Sequence, residues 1–298
     1  MSRGKHLLNT TFCITAFLIA SMNMHALSEQ APAPDSVSAK ILTVIFPVTL
    51  NATPMSDDII RMFEKDCGIP IKKVTLCTGD ADNLIRSNTK EQIDVVIGHE
   101  KEIEDKLVAD GLFTNLREVL YSNFVLVGPK EDPAGVMGLK DPLEALKKIQ
   151  KKKALFFSRG DNSGTHGLEK RMWKLAKIDP KGDWYITTKA GTDATLAIAN
   201  RKRGYTIAHY VTFIQQHETI DLKVMVDGNV ANKLVTAYEV MASNPQKYPS
   251  AHYVDAMTFI GYLTSPRIQQ FIADYGMKKF GRQTDFPLAV PASPKPEK

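Results

Sequence analysis

The chain has 298 residues, 43% of them hydrophobic, with 38 Lys and Arg against 33 Asp and Glu, a formal net charge of +5. That length supports one large core or two lobes of about 100–150 residues each. The modest charge, with no basic stripe laced by aromatics, argues against a nucleic-acid partner, and no stretch after the N-terminus is long and apolar enough for a membrane helix.

Residues 1–26 read as an export signal. Arg3 and Lys5 make a positive start, residues 7–20 an apolar stretch, and Ala26 a small residue for cleavage. Asn9, Thr10 and Thr11 break the apolar run, although an uncleaved anchor is the alternative. No Cys follows it where a lipoprotein signal would need one. Residues 27–39 are polar and contain Pro32 and Pro34, so they read as a linker, and 289–298 as a tail of the same character. Cys13 lies in the signal. Cys67 and Cys77 flank a run that reads as one extended strand, which holds them too far apart for a disulfide, so two separate buried thiols are expected.

Strands and helices then alternate, which favours an α/β architecture. A buried strand is expected over 41–48, then a helix over 57–65 with Ser56 as N-cap and Gly68 at its end. Strand 71–77, helix 81–87, strand 93–98 and helix 102–109 follow. The run 123–129 reads as a strand ending at Pro129. Beyond it come helix 141–152, strand 154–157, helix 166–177, a short strand near Trp184, helix 192–203, and strands 204–207, 222–226 and 236–242. Helices 251–264 and 266–275 close the pattern. The lysines between 147 and 153 read as a solvated helix end. Segments 123–129 and 235–242 are the candidate crossings between two lobes, here 40–124 plus 240–288 and 125–239. A ligand would sit in the cleft between them.

The stretch Ser158-Arg159-Gly160-Asp161-Asn162-Ser163-Gly164-Thr165-His166 stands between a strand and a helix. Small residues at a helix start leave backbone N–H groups free, and the helix dipole favours negative charge there. Arg159 adds a fork of donors suited to an oxyanion. The turn therefore reads as an anion cradle, with Ser158, Ser163 and Thr165 as hydroxyl donors. The plainer reading makes Arg159 a structural partner of Asp161, and Ser163 or Thr165 a helix cap. A fully deprotonated oxyanion accepts hydrogen bonds but donates none, so a site for one needs Asp161 turned away, capping the helix or paired with the arginine. Phosphate, still partly protonated, would welcome a free acceptor. His166 beside serines raises a hydrolase as a minor alternative, but there is no Gly-x-Ser-x-Gly elbow. His209 and His217, beside Glu218, lack zinc spacing. Trp173 and Trp184 read as packing residues. Tyr210 and Tyr238 fall near the inferred cleft. No cofactor or metal is expected.

This stretch, continued by Glu169 and Trp173, closely resembles the signature of periplasmic tungstate-binding proteins of ABC importers. The run 123–135, Asp193 to Asn200, and Phe259 through Pro266 agree as well. The resemblance implies a two-lobed type II periplasmic-binding-protein fold, each lobe a mixed sheet flanked by helices. It implies capture of a tetrahedral oxyanion, tungstate first and molybdate second, with Arg159 as the anion-binding arginine and Ser158, Ser163, Gly164 and Thr165 as the surrounding turn. It also implies an ABC permease in the inner membrane as partner, a periplasmic location, and no enzymatic activity; a monomer is expected. The chain departs from the family after its first strand. There a threonine- and serine-rich loop becomes Phe46 to Pro54, with Thr49, and Asn51 or Thr53, the candidates to complete the site. Further on, an Asp-Arg pair becomes His209-Tyr210. These departures keep open a repurposed scaffold that binds a different ligand or acts as an accessory sensor of a membrane partner.

Overall fold

The computed structural model describes residues 41–87 and 92–289; the expected signal, the linker and nearly all of the expected tail lie outside the described residues. β1 (Leu42–Pro47) is buried at every position and lies between two parallel partners, β2 (Ile71–Leu76) and β3 (Val95–Gly98). A continuous apolar run suits a strand covered on both faces. α1 (Met55–Cys67), α2 (Thr78–Arg86) and α3 (Lys101–Ala109) make the connections. The sheet continues antiparallel through β9 (Val235–Ser243), β4 (Phe113–Gly128) and β10 (Asp285–Pro287). α8 (Tyr253–Leu263) and α9 (Pro266–Phe280) cover one face, packing Phe259, Ile260 and Ile272 on Phe46, Phe63 and Tyr238. The other face buries Ile45, Val96, Phe113 and Met241. These elements form lobe one.

β4 is a crossing strand. Its residues 113–123 pair with β9, while Phe124 to Gly128 pair with β7 (Thr206–His209) and β8 (Lys223–Asp227). The chain returns at β9, where Phe124 N–H donates to Leu234 O at 3.1 Å. Lobe two is built on this second sheet. It adds α4 (Pro142–Lys152), β5 (Phe156–Ser158), α5 (Gly164–Leu175), β6 (Tyr185–Thr187), α6 (Thr192–Lys202) and α7 (Tyr210–Gln216). β5 runs parallel to β6 and reaches β7 through a bridge between Phe156 and Tyr205. The expected mixed sheets flanked by helices are present in both lobes.

Several local expectations change. Ser56 does not cap α1; it lies buried inside the first turn, and Thr53 Oγ1 accepts from Met55 N–H at 3.3 Å. A 3-10 turn over Val48–Ala52 carries the chain straight into the helix, one residue ahead of that serine. Gly68 does end α1, with φ of 70° and its N–H on Glu64 O. β4 starts ten residues before the apolar run that announced it, because its first half has exposed Arg117 and Glu118 and two register shifts. α7 and β10 had no counterpart in the sequence reading. Cys67 and Cys77 are unpaired, and both are half-buried rather than buried. The lysines from 147 to 153 lie along the largely exposed C-terminal half of α4, as expected. Among the described residues no helix is long and apolar enough to cross a membrane.

Candidate functional site

The turn between β5 and α5 is shaped by two left-handed residues. Gly160 has φ of 60°, and a Cβ there would fall 2.0 Å from Thr187 Cγ2, so only glycine fits. Asn162 has φ of 55°, a conformation asparagine tolerates better than most residues. Ser163 is the N-cap of α5, its Oγ accepting from His166 N–H at 3.4 Å. The backbone N–H groups of Gly164 and Thr165 then open the helix with no partner among the described residues. Thr165 Oγ1 is buried and also unpartnered.

Arg159 is 5% exposed. Its Nε and Nη2 donate to Asp161 Oδ2 at 3.0 and 2.5 Å, and Nη1 donates to Thr192 Oγ1 at 2.7 Å. The other oxygen of Asp161 accepts from Ser163 N–H at 3.1 Å and Ser163 Oγ at 2.6 Å. Burial works to raise the pKa of Asp161, but the Ser163 hydrogen bonds and the Arg159 charge outweigh it and hold the carboxyl below its ordinary value. Asp161 thus both pairs with the arginine and ties down the helix cap. Three of the five guanidinium N–H groups are used in these bonds.

The remaining predicted residues fall in different places. Ser158 is fully buried at the end of β5, and its hydroxyl has no hydrogen-bond partner among the described residues. Burial pushes Glu169 up to about 7, against hydrogen bonds from Tyr185 at 2.7 Å and Trp173 at 3.1 Å. Thr49 lies in lobe one and accepts from Tyr238 OH at 2.8 Å, with His99 Nε2 3.3 Å away. Asn51 is exposed and bonded within its own lobe, to Thr75 Oγ1 at 2.7 Å and Ser56 Oγ at 3.1 Å.

Lobe one meets this turn through residues the sequence reading passed over. A Cβ on Gly164 would fall 1.7 Å from His99 Cε1, and one on Gly167 would fall 1.8 Å from Glu100 Oε1. So the end of β3 packs directly on the first turn of α5. The start of α2 approaches from the side. A Cβ on Gly79 would lie 3.4 Å from Asn162 O, and the Cys77 thiol, raised first by burial, also feels Asp161 and Arg159. Thr78 Oγ1, His99 Nδ1 and both ring nitrogens of His209 are buried without partners among the described residues. Burial pushes His99 down to about 3, with the charges of His209 and Arg159 adding to the effect. Burial lowers His209 too, against the pull of Asp285. Thr78, His99 and His209 all sit where a strand runs into a helix, and that position was the available signal.

Other readings resolve simply. The His166 ring accepts from Asn162 N–H at 3.1 Å, while the Ser163 hydroxyl is directed to Asp161, so the two do not form a nucleophile–base pair. Trp173 and Trp184 are packing residues in the lobe-two core. Tyr238 is fully buried and stacks on His99 with centroids 4.9 Å apart. Tyr210 lies under Arg282, whose guanidinium is 4.1 Å from the ring centre. His217 is on the surface, its Nδ1 bonded to Ile214 O. Among the described residues no group of His, Cys, Asp or Glu could hold a metal ion.

Comparison with known proteins matches residues 47–267 to a PBP superfamily domain. The tungstate-binding protein TupA of Peptoclostridium acidaminophilum is 31% identical over 286 residues, covering 93% of this chain and 97% of that protein. A solved structure described as the tungstate ABC transporter from Geobacter sulfurreducens is 36% identical, covers 79% of this chain and 99% of its own, and superposes with a TM-score of 0.70. The tungstate-binding protein TupA of Desulfovibrio alaskensis G20 is 32% identical, covers 85% and 100%, and gives a TM-score of 0.74.

Proposed function

The chain belongs to the PBP superfamily, and from that premise we propose that it is an exported solute-binding protein that captures a fully deprotonated tetrahedral oxyanion for an ABC importer. Tungstate is the first ligand and molybdate the second. The relatives named for tungstate support the ligand class. The observation that carries the choice among oxyanions is the fate of Asp161. Its two oxygens are taken up by Arg159 and Ser163, so the turn has no spare carboxylate to accept a proton from a ligand. What is left for a ligand is a set of donors: the N–H groups of Gly164 and Thr165, the buried Thr165 hydroxyl, and the rest of the guanidinium. Hydrogen phosphate needs an acceptor in such a site, whereas a dianion without protons does not.

In this reading Arg159, Ser163, Gly164 and Thr165 make the lobe-two side of the site, with Ser158 beneath it and Thr49 and Asn51 in lobe one. The strand pairing gives lobe one the chain up to Asn123 and again from Val235, and lobe two the segment between, so the crossings fall at 123/124 and just before Val235 rather than at 124/125 and 239/240. The chain works as a monomer in the periplasm after residues 1–26 direct export, performs no catalysis, and delivers its ligand to an inner-membrane permease. A ligand bridging both lobes favours their approach by the difference in its contacts between the two arrangements.

A thermal-shift panel of tungstate, molybdate, sulfate and phosphate tests the assignment. A ligand at 100 times its dissociation constant adds about 2.7 kcal/mol of apparent stability. Tungstate and molybdate are expected to raise Tm, with sulfate behind them and phosphate inert. A phosphate shift equal to that of tungstate would remove the argument from Asp161. No shift with any oxyanion would favour the repurposed scaffold.

A further inference from the structure

Resting on the oxyanion reading, we propose that His99 is a ligand-binding residue of lobe one. Its imidazole carries its proton on Nδ1, held there by Tyr238 and Thr49, and donates it to the anion seated at the start of α5.

Tyr238, Thr49 and His99 form one chain of hydrogen-bonding side chains. Tyr238 OH donates to Thr49 Oγ1 at 2.8 Å. The Thr49 hydroxyl has a single proton, and among the described residues its only other partner is His99 Nε2, at 3.3 Å. If Nε2 carried the ring proton, the Thr49 proton would be left with no acceptor. Placing the lone pair on Nε2 satisfies the Tyr238 and Thr49 donors and puts the ring proton on Nδ1, where a ligand is left to accept it. The face-to-face contact with Tyr238, at 22° between planes, holds the ring in this orientation. Burial keeps the ring neutral, so one nitrogen donates and the other accepts.

The second step concerns what Nδ1 faces. It is buried, has no partner among the described residues, and lies against Gly164, where a Cβ would fall 2.1 Å from it. The residue it lies against opens α5, where the N–H groups of Gly164 and Thr165 and the Thr165 hydroxyl have no partner among the described residues. An anion at that helix start would meet donors from both lobes. A buried donor left without an acceptor costs free energy, and one ligand that only accepts hydrogen bonds satisfies the whole group at once. The helix start alone would say little. The buried imidazole nitrogen, aimed at it from the opposite lobe, is the independent observation. Thr49 becomes a positioning residue that acts through His99.

The test is direct. In uniformly 15N-labelled protein, long-range imidazole spectra should show His99 as the Nδ1–H form, and tungstate should move that proton downfield and slow its exchange. By calorimetry His99→Leu should weaken tungstate binding by about tenfold or more. His99→Asn, which keeps an N–H near the place of Nδ1, should recover most of the loss. Thr49→Val should populate the Nε2–H form and weaken binding in proportion. An Nε2–H imidazole in the tungstate-loaded parent, or a His99→Leu protein that binds as the parent does, overturns the proposal and leaves the oxyanion reading standing. A parent that binds no oxyanion ends both. If His99→Leu fails to fold, the spectra of the parent decide the matter.

Discussion

Arg159 and Asp161 share one carboxylate oxygen, and this makes their mutations strongly non-additive. Arg159→Ala does more than remove a donor fork. It leaves Asp161, half-buried and held ionised, as an uncompensated negative charge beside the anion. We expect the single variant to weaken tungstate binding by about tenfold or more. Adding Asp161→Asn removes the stranded charge, so the double variant should bind better than Arg159→Ala alone. A calorimetric double-mutant cycle measures this coupling. Equal affinity for the single and double variants would mean that Asp161 plays no part in the field at the site. The orientation of Asp161 is what the sequence could not supply. Its residue type and spacing allowed it to pair with arginine, to cap the helix or to face the ligand. Only the left-handed residues Gly160 and Asn162, which fold the turn back on itself, bring both oxygens onto internal donors.

At the level of elements, the first turn of α5 is also where the lobes touch, and Gly164 makes that possible. Its φ is not in the left-handed region, so an alanine there suits the helix. The obstacle is His99, whose ring occupies the space of the missing Cβ. Gly164→Ala forces the buried His99 ring away from α5, so it is expected to lower Tm and to weaken tungstate binding by about tenfold. Small-angle scattering should show no ligand-induced compaction in this variant under conditions where the parent compacts. Normal affinity would place the ligand elsewhere than between His99 and α5. This element was legible in the sequence because small residues separated an apolar run from a helical period. The partners in lobe one were not. His99 and Thr78 each follow an ordinary strand, and beyond that place nothing local distinguishes them from residues with satisfied neighbours. Their significance lies in nitrogen and oxygen atoms that tertiary packing buries without a partner. The crossing of β4 was half legible for a similar reason. Its buried second half announces itself, whereas exposed Arg117 and Glu118 hide the first.

On the scale of the whole molecule, buried carboxyl and imidazole groups give opposite dependences of stability on pH. Burial pushes Glu100, Glu104 and Glu169 each up to about 7. A carboxyl with a raised pKa binds more protons folded than unfolded. Folding stability is therefore greatest below about pH 4.5, falls as pH rises towards 7, and is flat above that. His99 and His209, with lowered values, favour folding above about pH 6.5, and that contribution is lost as pH falls. Between pH 5 and 6 the two trends oppose one another, so the parent's own pH curve is a poor guide to either. A single substitution separates them. Glu104 is 1% exposed, packs so closely on Gly98 that a Cβ there would fall 1.8 Å from its Oε1, and has an unpartnered Oε2. Burial is the main cause of its shift, only partly offset by bonds from backbone N–H groups and increased by the charges of Glu239 and Glu100. Glu104→Gln keeps the shape and the acceptor for Glu100 N–H at 3.1 Å while removing the titration. At pH 8 the variant should be more stable by on the order of 3 kcal/mol, a rise in Tm of at least about 5 °C. At pH 4.5 the advantage should be nearly gone, because the parent's carboxyl is then neutral too. Calorimetric scans of both proteins from pH 4.5 to 8 measure the difference directly, free of the histidine contribution they share. A gap that stays constant across that range would mean that Glu104 is ionised throughout and that local hydrogen bonding, not burial, governs its charge.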